Sequence, residues 1–326
     1  MVARHTIAIL LGAAVVSAFV GCSKPQQKTE EAPGRKLEIL CTVLPVYVLA
    51  QNVAEGASGV ALRLLLSPQM GCPHDYALTP TDAAMLEKAD VIVMNGLGLE
   101  SFLKDIPALA RPGLRIIDAS SAVDSIASFE DRALIYPALI SDEEHAHRHD
   151  HALDSANPHA WVSPFQAEKM ALYLGVELGR IDTANAALYF SNAQRYAARL
   201  DSLGQALRQV VMQASNRGIV TYHNAFDYFA RDLGLSILGV IESDPAEEPS
   251  ARALSDLANR IKAAGAAGIF SEPQYSQTLP KMLSAETGVP LYMLDPAASG
   301  DADAGSYLRI MRQNLRTLDK ALKTDN

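Results

Sequence analysis

The sequence predicts an α/β fold of two parallel-sheet lobes joined by one long helix, with a ligand site in the cleft between them. Three observations carry this. Short apolar segments alternate with amphipathic helical ones in two separate stretches, the pattern of parallel sheets covered by helices. Between the stretches lies a helical region whose run 185–213 has no Pro and no Gly except Gly204. The chain has 326 residues, more than a single core usually serves. With 49% hydrophobic and 20% charged residues it is a chain that buries a core. A formal charge of −9 and a pI near 5.4 argue against a nucleic-acid partner, which calls for a basic face.

The first element is an address. Arg4 precedes an uncharged apolar run over residues 7–20, which is too short for a membrane span of about 20 residues and reads as a secretory signal over 1–21. The run ends Phe19-Val20-Gly21-Cys22, which resembles the bacterial lipobox and implies cleavage before Cys22 and lipidation of that residue. Residues 22–36 are rich in Pro, Gln and charge and read as a flexible tether. Three cysteines are too few for a disulfide scaffold, but export leaves Cys41 and Cys72 unclaimed by lipid where disulfides are permitted.

The N-terminal lobe is expected over 37–163. Its strands are read at 37–43, 60–66, 90–95 and 114–118, and its helices at 45–55 and 80–88, the latter opened by Thr79 as N-cap with Pro80 at the first position. Residues 119–157 are polar and weakly patterned, a length of loop usually functional or disordered. Connecting helices follow over 164–215, where the 29 positions of 185–213 extend about 43 Å if continuous. In the C-terminal lobe, 216–326, strands are expected at 218–222, 236–241, 267–271 and 290–294, with helices at 225–233, 251–264, 278–287 and 306–322. Ligands in such folds lie at the carboxyl ends of strands.

Three histidines and an aspartate occupy such places. His74 lies beyond the second strand, His159 closes the long loop, His223 follows the first strand of the second half, and Asp295 follows its last. Three imidazoles with a carboxylate suit a divalent transition metal, zinc above all. Taken singly, each histidine is more often a surface or satisfied core residue, and the spacing alone does not decide between the two.

Pro73-His74-Asp75-Tyr76 with Thr79-Pro80-Thr81-Asp82, residues 90–96 followed by Gly98-Leu99-Glu100, Asn157-Pro158-His159-Ala160-Trp161-Val162-Ser163-Pro164, and Tyr222-His223-Asn224-Ala225-Phe226-Asp227-Tyr228-Phe229 stand in series. Together they resemble the zinc/manganese receptors of bacterial ABC importers, the ZnuA/TroA-like solute-binding proteins. The resemblance implies two lobes on a rigid helix holding one metal, with His74, His159, His223 and Asp295 as ligands. It implies delivery to an ABC permease with its cytoplasmic ATPase, a lipid anchor in the periplasm or at the cell surface, no nucleic-acid partner, and a monomer. Manganese-selective members tend to carry a carboxylate at the His223 position, so Zn2+ is favoured and Mn2+ is the alternative cargo. The segment holding His145, His147, His149 and His151, within 142–153, falls where the zinc receptors carry a His-rich loop, and implies weak auxiliary metal sites.

The sequence departs from the pattern in three places. Asn157 replaces the usual Asp before Pro-His, which alters what backs the ligand rather than removing one. Thr183 stands where Pro is frequent. Cys72 lies two residues before His74, and a bond to Cys41, a buried free thiol and a Cys72 thiolate ligand are all open. Glu272 and Glu248 lie in second-half loops within reach of the cleft, where most acidic residues are solvated. Trp161, the only tryptophan, is either core packing or a reporter of metal binding. The other classes weighed are an exported zinc-dependent hydrolase, for which no His-Glu-x-x-His or Gly-x-Ser-x-Gly motif is found, and a surface adhesin.

Overall fold

The computed structural model describes residues 35–70, 73, 76–103, 112–126, 135–136, 156–242 and 249–323. The expected signal over 1–21, residues 22–34 of the expected tether with Cys22, the loop residues Cys72 and His74, the His-rich segment 142–153 and Glu248 lie outside the described residues.

Two four-stranded parallel sheets form the frame. The first holds β1 (Leu37–Cys41), β2 (Val60–Leu64), β3 (Val91–Met94) and β4 (Arg115–Asp118) in the order β2-β1-β3-β4. The second holds β5 (Gly218–Thr221), β6 (Ser236–Val240), β7 (Gly268–Ser271) and β8 (Leu291–Met293) in the matching order β6-β5-β7-β8. The central strands are unbroken apolar runs: Val91 to Val93 and all of β5 and β7 are buried, as sheets covered on both faces require. In each sheet the chain reverses its direction of winding between two central strands, β1 and β3 in one and β5 and β7 in the other. Crevices form at such reversals, beyond the strand ends.

Eight α-helices are described: α1 (Leu44–Val53), α2 (Pro80–Lys88), α3 (Pro164–Ile181), α4 (Ala186–Gln213), α5 (Asp227–Leu233), α6 (Ala251–Ala264), α7 (Thr278–Thr287) and α8 (Ser306–Leu322). The expected N-cap of α2 is present and reciprocal: Thr79 Oγ1 accepts from the Asp82 amide, while Asp82 Oδ2 accepts from the Thr79 amide at 2.8 Å. Tyr76 donates to the same carboxylate at 2.6 Å, which fastens the segment leading into α2. The strand expected at 37–43 stops at Cys41 because Thr42 and Val43 already turn toward α1, whose first turn takes Pro45. Similarly, the helix expected from Ala225 begins at Asp227, after a 3-10 turn over Asn224–Phe226 that follows His223.

The long connector is α4, 28 residues in one piece. It packs along α3 and also meets α1 of the first half and α8 of the second, so it links the two lobes along its length. Gly175 lets α3 approach α4, since a Cβ there would stand 2.6 Å from the Cβ of Ala193. The main core runs without a break from β1 through Trp161, the α3–α4 seam, Phe226, Tyr228 and Phe229 to Tyr307 and Leu318 on α8. A smaller core, including Val220, Leu257, Ile261 and Leu283, lies beneath α6 and α7. The two sheets therefore share most of one core, where a separate core for each lobe was the simpler expectation.

Candidate metal centre

The site is built from the carboxyl ends of the central strands. His223 follows β5 in extended conformation (φ −131°, ψ 178°), and Glu272 follows β7, the neighbouring strand across the winding reversal. This adjacency brings Glu272 Oε1 to 2.5 Å from His223 Nδ1. Gln274 Nε2 donates to the other carboxylate oxygen at 2.8 Å. Glu272 is fully buried, not solvated, and that burial pushes its carboxyl pKa up while the His223 ring works against the shift. With Nδ1 donating to the carboxylate, Nε2 of His223 carries the lone pair. That atom is buried and has no hydrogen-bond partner among the described residues.

His159 is positioned from the first half. Asn95, at the end of β3, donates from Nδ2 to the carbonyl of Pro158 at 2.9 Å. Asn95 is itself set by Glu100, which accepts from the amides of Asn95 (2.6 Å) and Gly96 (3.0 Å) and from the Thr42 hydroxyl (2.7 Å). The turn depends on Gly96, whose φ is +88° and whose Cβ, if present, would overlap Asp118 Oδ1 at 1.9 Å. Burial raises the Glu100 carboxyl pKa, against the pull of its donors.

Asn157 fixes the His159 ring. Its Oδ1 faces both the backbone N–H and Nδ1 of His159, each at 2.9 Å, and its Nδ2 donates to the Asn224 carbonyl (2.8 Å) and to Asp227 Oδ2 (2.9 Å). A backbone N–H only donates, and a carbonyl or carboxylate only accepts, so the amide has one orientation. His159 Nδ1 therefore carries the proton and Nε2 the lone pair. The two imidazoles meet edge to face with ring centroids 5.2 Å apart, and both are buried. Trp161 flanks His159 at 5.3 Å and Tyr275 flanks His223 at 5.4 Å.

Asp295 lies past β8 and is partly buried. Its backbone is clamped by Asn314 of α8, which accepts from the Asp295 amide at 3.0 Å and donates to the Asp295 carbonyl at 2.8 Å. Oδ1 accepts from the amide of Ala297, a residue held in the left-handed region at φ 56°. Burial pushes the Asp295 carboxyl pKa up, and the Glu272 carboxylate adds to that shift across the intervening space.

The structure thus brings His159 and His223 together, with Glu272 behind His223 and Asp295 within electrostatic reach. Among the described residues, no group of three or more His, Cys, Asp or Glu side chains converges closely enough to hold an ion. His74 and the four histidines at 145, 147, 149 and 151 lie outside those residues. Cys41 is a fully buried free thiol whose pKa burial raises, and Cys72 lies outside the described residues.

A family model, ZnuA, described as the zinc-uptake complex component A, periplasmic, matches residues 39–321. The chain belongs to the ZnuA family. The family is one of uptake components rather than enzymes. Among curated relatives, the zinc-binding lipoprotein AdcA of Streptococcus pneumoniae R6 is 30% identical over 318 residues, 96% of this chain and 60% of AdcA. The high-affinity zinc uptake system protein ZnuA of Bacillus subtilis 168 is 28% identical over 297 residues, covering 90% of this chain and 89% of that one. The ZnuA-family chain thus spans about 60% of the length of AdcA but nearly all of the Bacillus protein. Among solved structures, the SBP FpvC of Pseudomonas aeruginosa in complex with Ni2+ superposes with a TM-score of 0.73 at 28% identity, covering 89% of this chain and 98% of that one.

Proposed function

We propose that this ZnuA-family chain captures zinc outside the cytoplasm and hands it to an ABC importer. The observation that carries the reading is the pair of buried imidazoles, one from each half, whose Nδ1 atoms are held by Asn157 and Glu272, leaving Nε2 as the ring nitrogen each can offer a metal. Neutral imidazole with carboxylate support is the donor set zinc favours, and the named functions of AdcA and of the Bacillus relative agree with it. In this reading His74 and His159 from a lobe over 37–163, with His223 and Asp295 from a lobe over 216–326, are the ligands. The helices over 164–215 hold the lobes in register. The role is coordination without turnover.

The anchor belongs to the same proposal. Cys22 carries lipid at the end of a tether over 22–36, the protein acts as a monomer at the membrane face of an ABC permease, and His145, His147, His149 and His151 gather metal at weak secondary sites. The deciding experiment is elemental analysis of the purified protein with competitive zinc and manganese titration. One tight site that prefers zinc is expected, lost in His159→Ala and in His223→Ala. Tight binding that survives in both variants sinks the assignment, and a preference for manganese replaces the cargo.

A further inference from the structure

The two imidazoles are backed unequally. Glu272 touches His223 Nδ1 directly with a carboxylate oxygen, whereas His159 Nδ1 meets the neutral oxygen of Asn157. A carboxylate does stand on the His159 side, but one residue further out: Asp227, itself buried, receives Asn157 Nδ2 at 2.9 Å on Oδ2 and the Tyr136 hydroxyl at 2.5 Å on Oδ1. Asn157 is held firmly in this relay. Its amide donates to the Ile126 carbonyl, and its carbonyl accepts from the Tyr228 hydroxyl at 2.8 Å. An amide spacer therefore separates His159 from the negative charge that His223 receives at first hand.

We propose that Asn157 sets how tightly the site holds zinc, by keeping the Asp227 carboxylate one residue away from His159 and so making His159 the weaker ligand of the pair. The physical reason is the polarisation of the ring. Hydrogen bonds to an ionised acceptor are roughly twice as strong as those to a neutral one. A carboxylate on the far nitrogen raises the basicity of the ligating nitrogen, and changes to such outer partners shift metal affinity by about 10–100-fold. A receptor must release its cargo as well as hold it, and one imidazole backed by a neutral amide gives the site a ligand that lets go more readily. The inference rests on the zinc-capture reading above.

The test moves the carboxylate. The exchange variant Asn157→Asp/Asp227→Asn keeps net charge and nearly the same shape, but puts the charge directly on His159 Nδ1. Its structural cost is the lost donor to the Asn224 carbonyl. Zinc dissociation from the full-length protein is followed by chelator competition, with Trp161 emission as readout and the melting temperature of the metal-free protein as the folding control. The exchange should slow zinc dissociation about 10-fold, and Glu272→Gln should speed it by a similar factor. Dissociation from the exchange variant that stays within about twofold of wild type, or becomes faster while the metal-free melting temperature is unchanged, overturns the proposal. If the exchange variant fails to fold, Glu272→Gln carries the test. It gives His223 the same neutral backing that His159 has, and an unchanged dissociation rate there also overturns the proposal. Wild-type protein that retains no zinc defeats the functional reading itself, an outcome distinct from zinc-binding protein indifferent to the exchange.

Discussion

The indole N–H of Trp161 donates to the carbonyl of Pro296 across 2.8 Å, tying the segment that carries His159 to the one that carries Asp295. The Tyr307 hydroxyl of α8 completes the tie by donating to the Trp161 carbonyl at 2.8 Å. Trp161→Phe keeps an aromatic ring but leaves the buried Pro296 carbonyl without its donor, and should lower stability by about 1–3 kcal/mol. Urea denaturation of the metal-free protein measures this. A loss below about 0.5 kcal/mol contradicts a structural role for the tie. Because the indole ring lies 5.3 Å from the His159 ring, its emission should also change when metal binds.

Glu100 is the corresponding anchor in the first half. Glu100→Ala leaves the Thr42 hydroxyl and the amides of Asn95 and Gly96 without an acceptor in a buried place. Several such groups, at about 1–3 kcal/mol each when fully unsatisfied, point to a loss of at least ~3 kcal/mol after partial relaxation. Glu100→Gln replaces one acceptor by a donor facing an N–H, so it should not restore wild-type stability. Denaturant midpoints of the two variants decide the matter, and a Gln variant as stable as wild type removes Glu100 from this role.

Cys41 should be inert while the protein is folded. Its thiol is fully buried, and that burial raises its pKa and suppresses the reactive thiolate. Labelling with an aromatic disulfide reagent in native buffer should spare Cys41 and should modify it in denaturant. Protein purified without reductant that shows no Cys41 thiol even when unfolded would instead demonstrate a bond to Cys72.

The loop before α8 supplies a pH prediction. Arg309 grips Asp303 at 2.6 Å and also approaches Asp301, and it holds the Asp303 carboxyl pKa down to about 2 from an ordinary value of 3.8. A depressed carboxylate contributes stability that is present above its unfolded pKa and is lost as pH falls through the folded one. The contribution is therefore intact above about pH 4 and disappears toward pH 2. Arg309→Ala removes the larger part of it, the Gly305 amide keeping the rest, so the melting temperatures of variant and wild type should converge as pH drops from 4 to 2. Parallel curves across that interval contradict the linkage.

How much was legible in the sequence follows from which contacts are local. The α2 cap was readable because Thr79, Pro80 and Asp82 are neighbours in the chain, and α4 because one uninterrupted helical run declares itself. The eight strands were found within a residue or two, since central parallel strands are plain apolar runs. Their order was not legible, because nothing in a strand records which strand lies beside it. That order is what places Glu272 against His223, 49 residues apart, so the sequence could put the carboxylate within reach of the cleft but not name its partner. Asp227 escaped for a related reason: its partner Asn157 is 70 residues away. The change at Asn157 itself was visible from the motif, and its contact with His159 lies where the reading put it, behind a ligand candidate.

The unbroken core between the sheets has a mechanical consequence. If the halves swung apart like a clamshell, exposing some 400 Å² of that core would cost about 10 kcal/mol at roughly 25 cal/mol per Å². At about 1.4 kcal/mol per factor of ten, only about one molecule in ten million would stand open at any moment. Trp161, Tyr228 and Tyr307 belong to that one core, so any movement that leaves it packed falls at the edges of the frame.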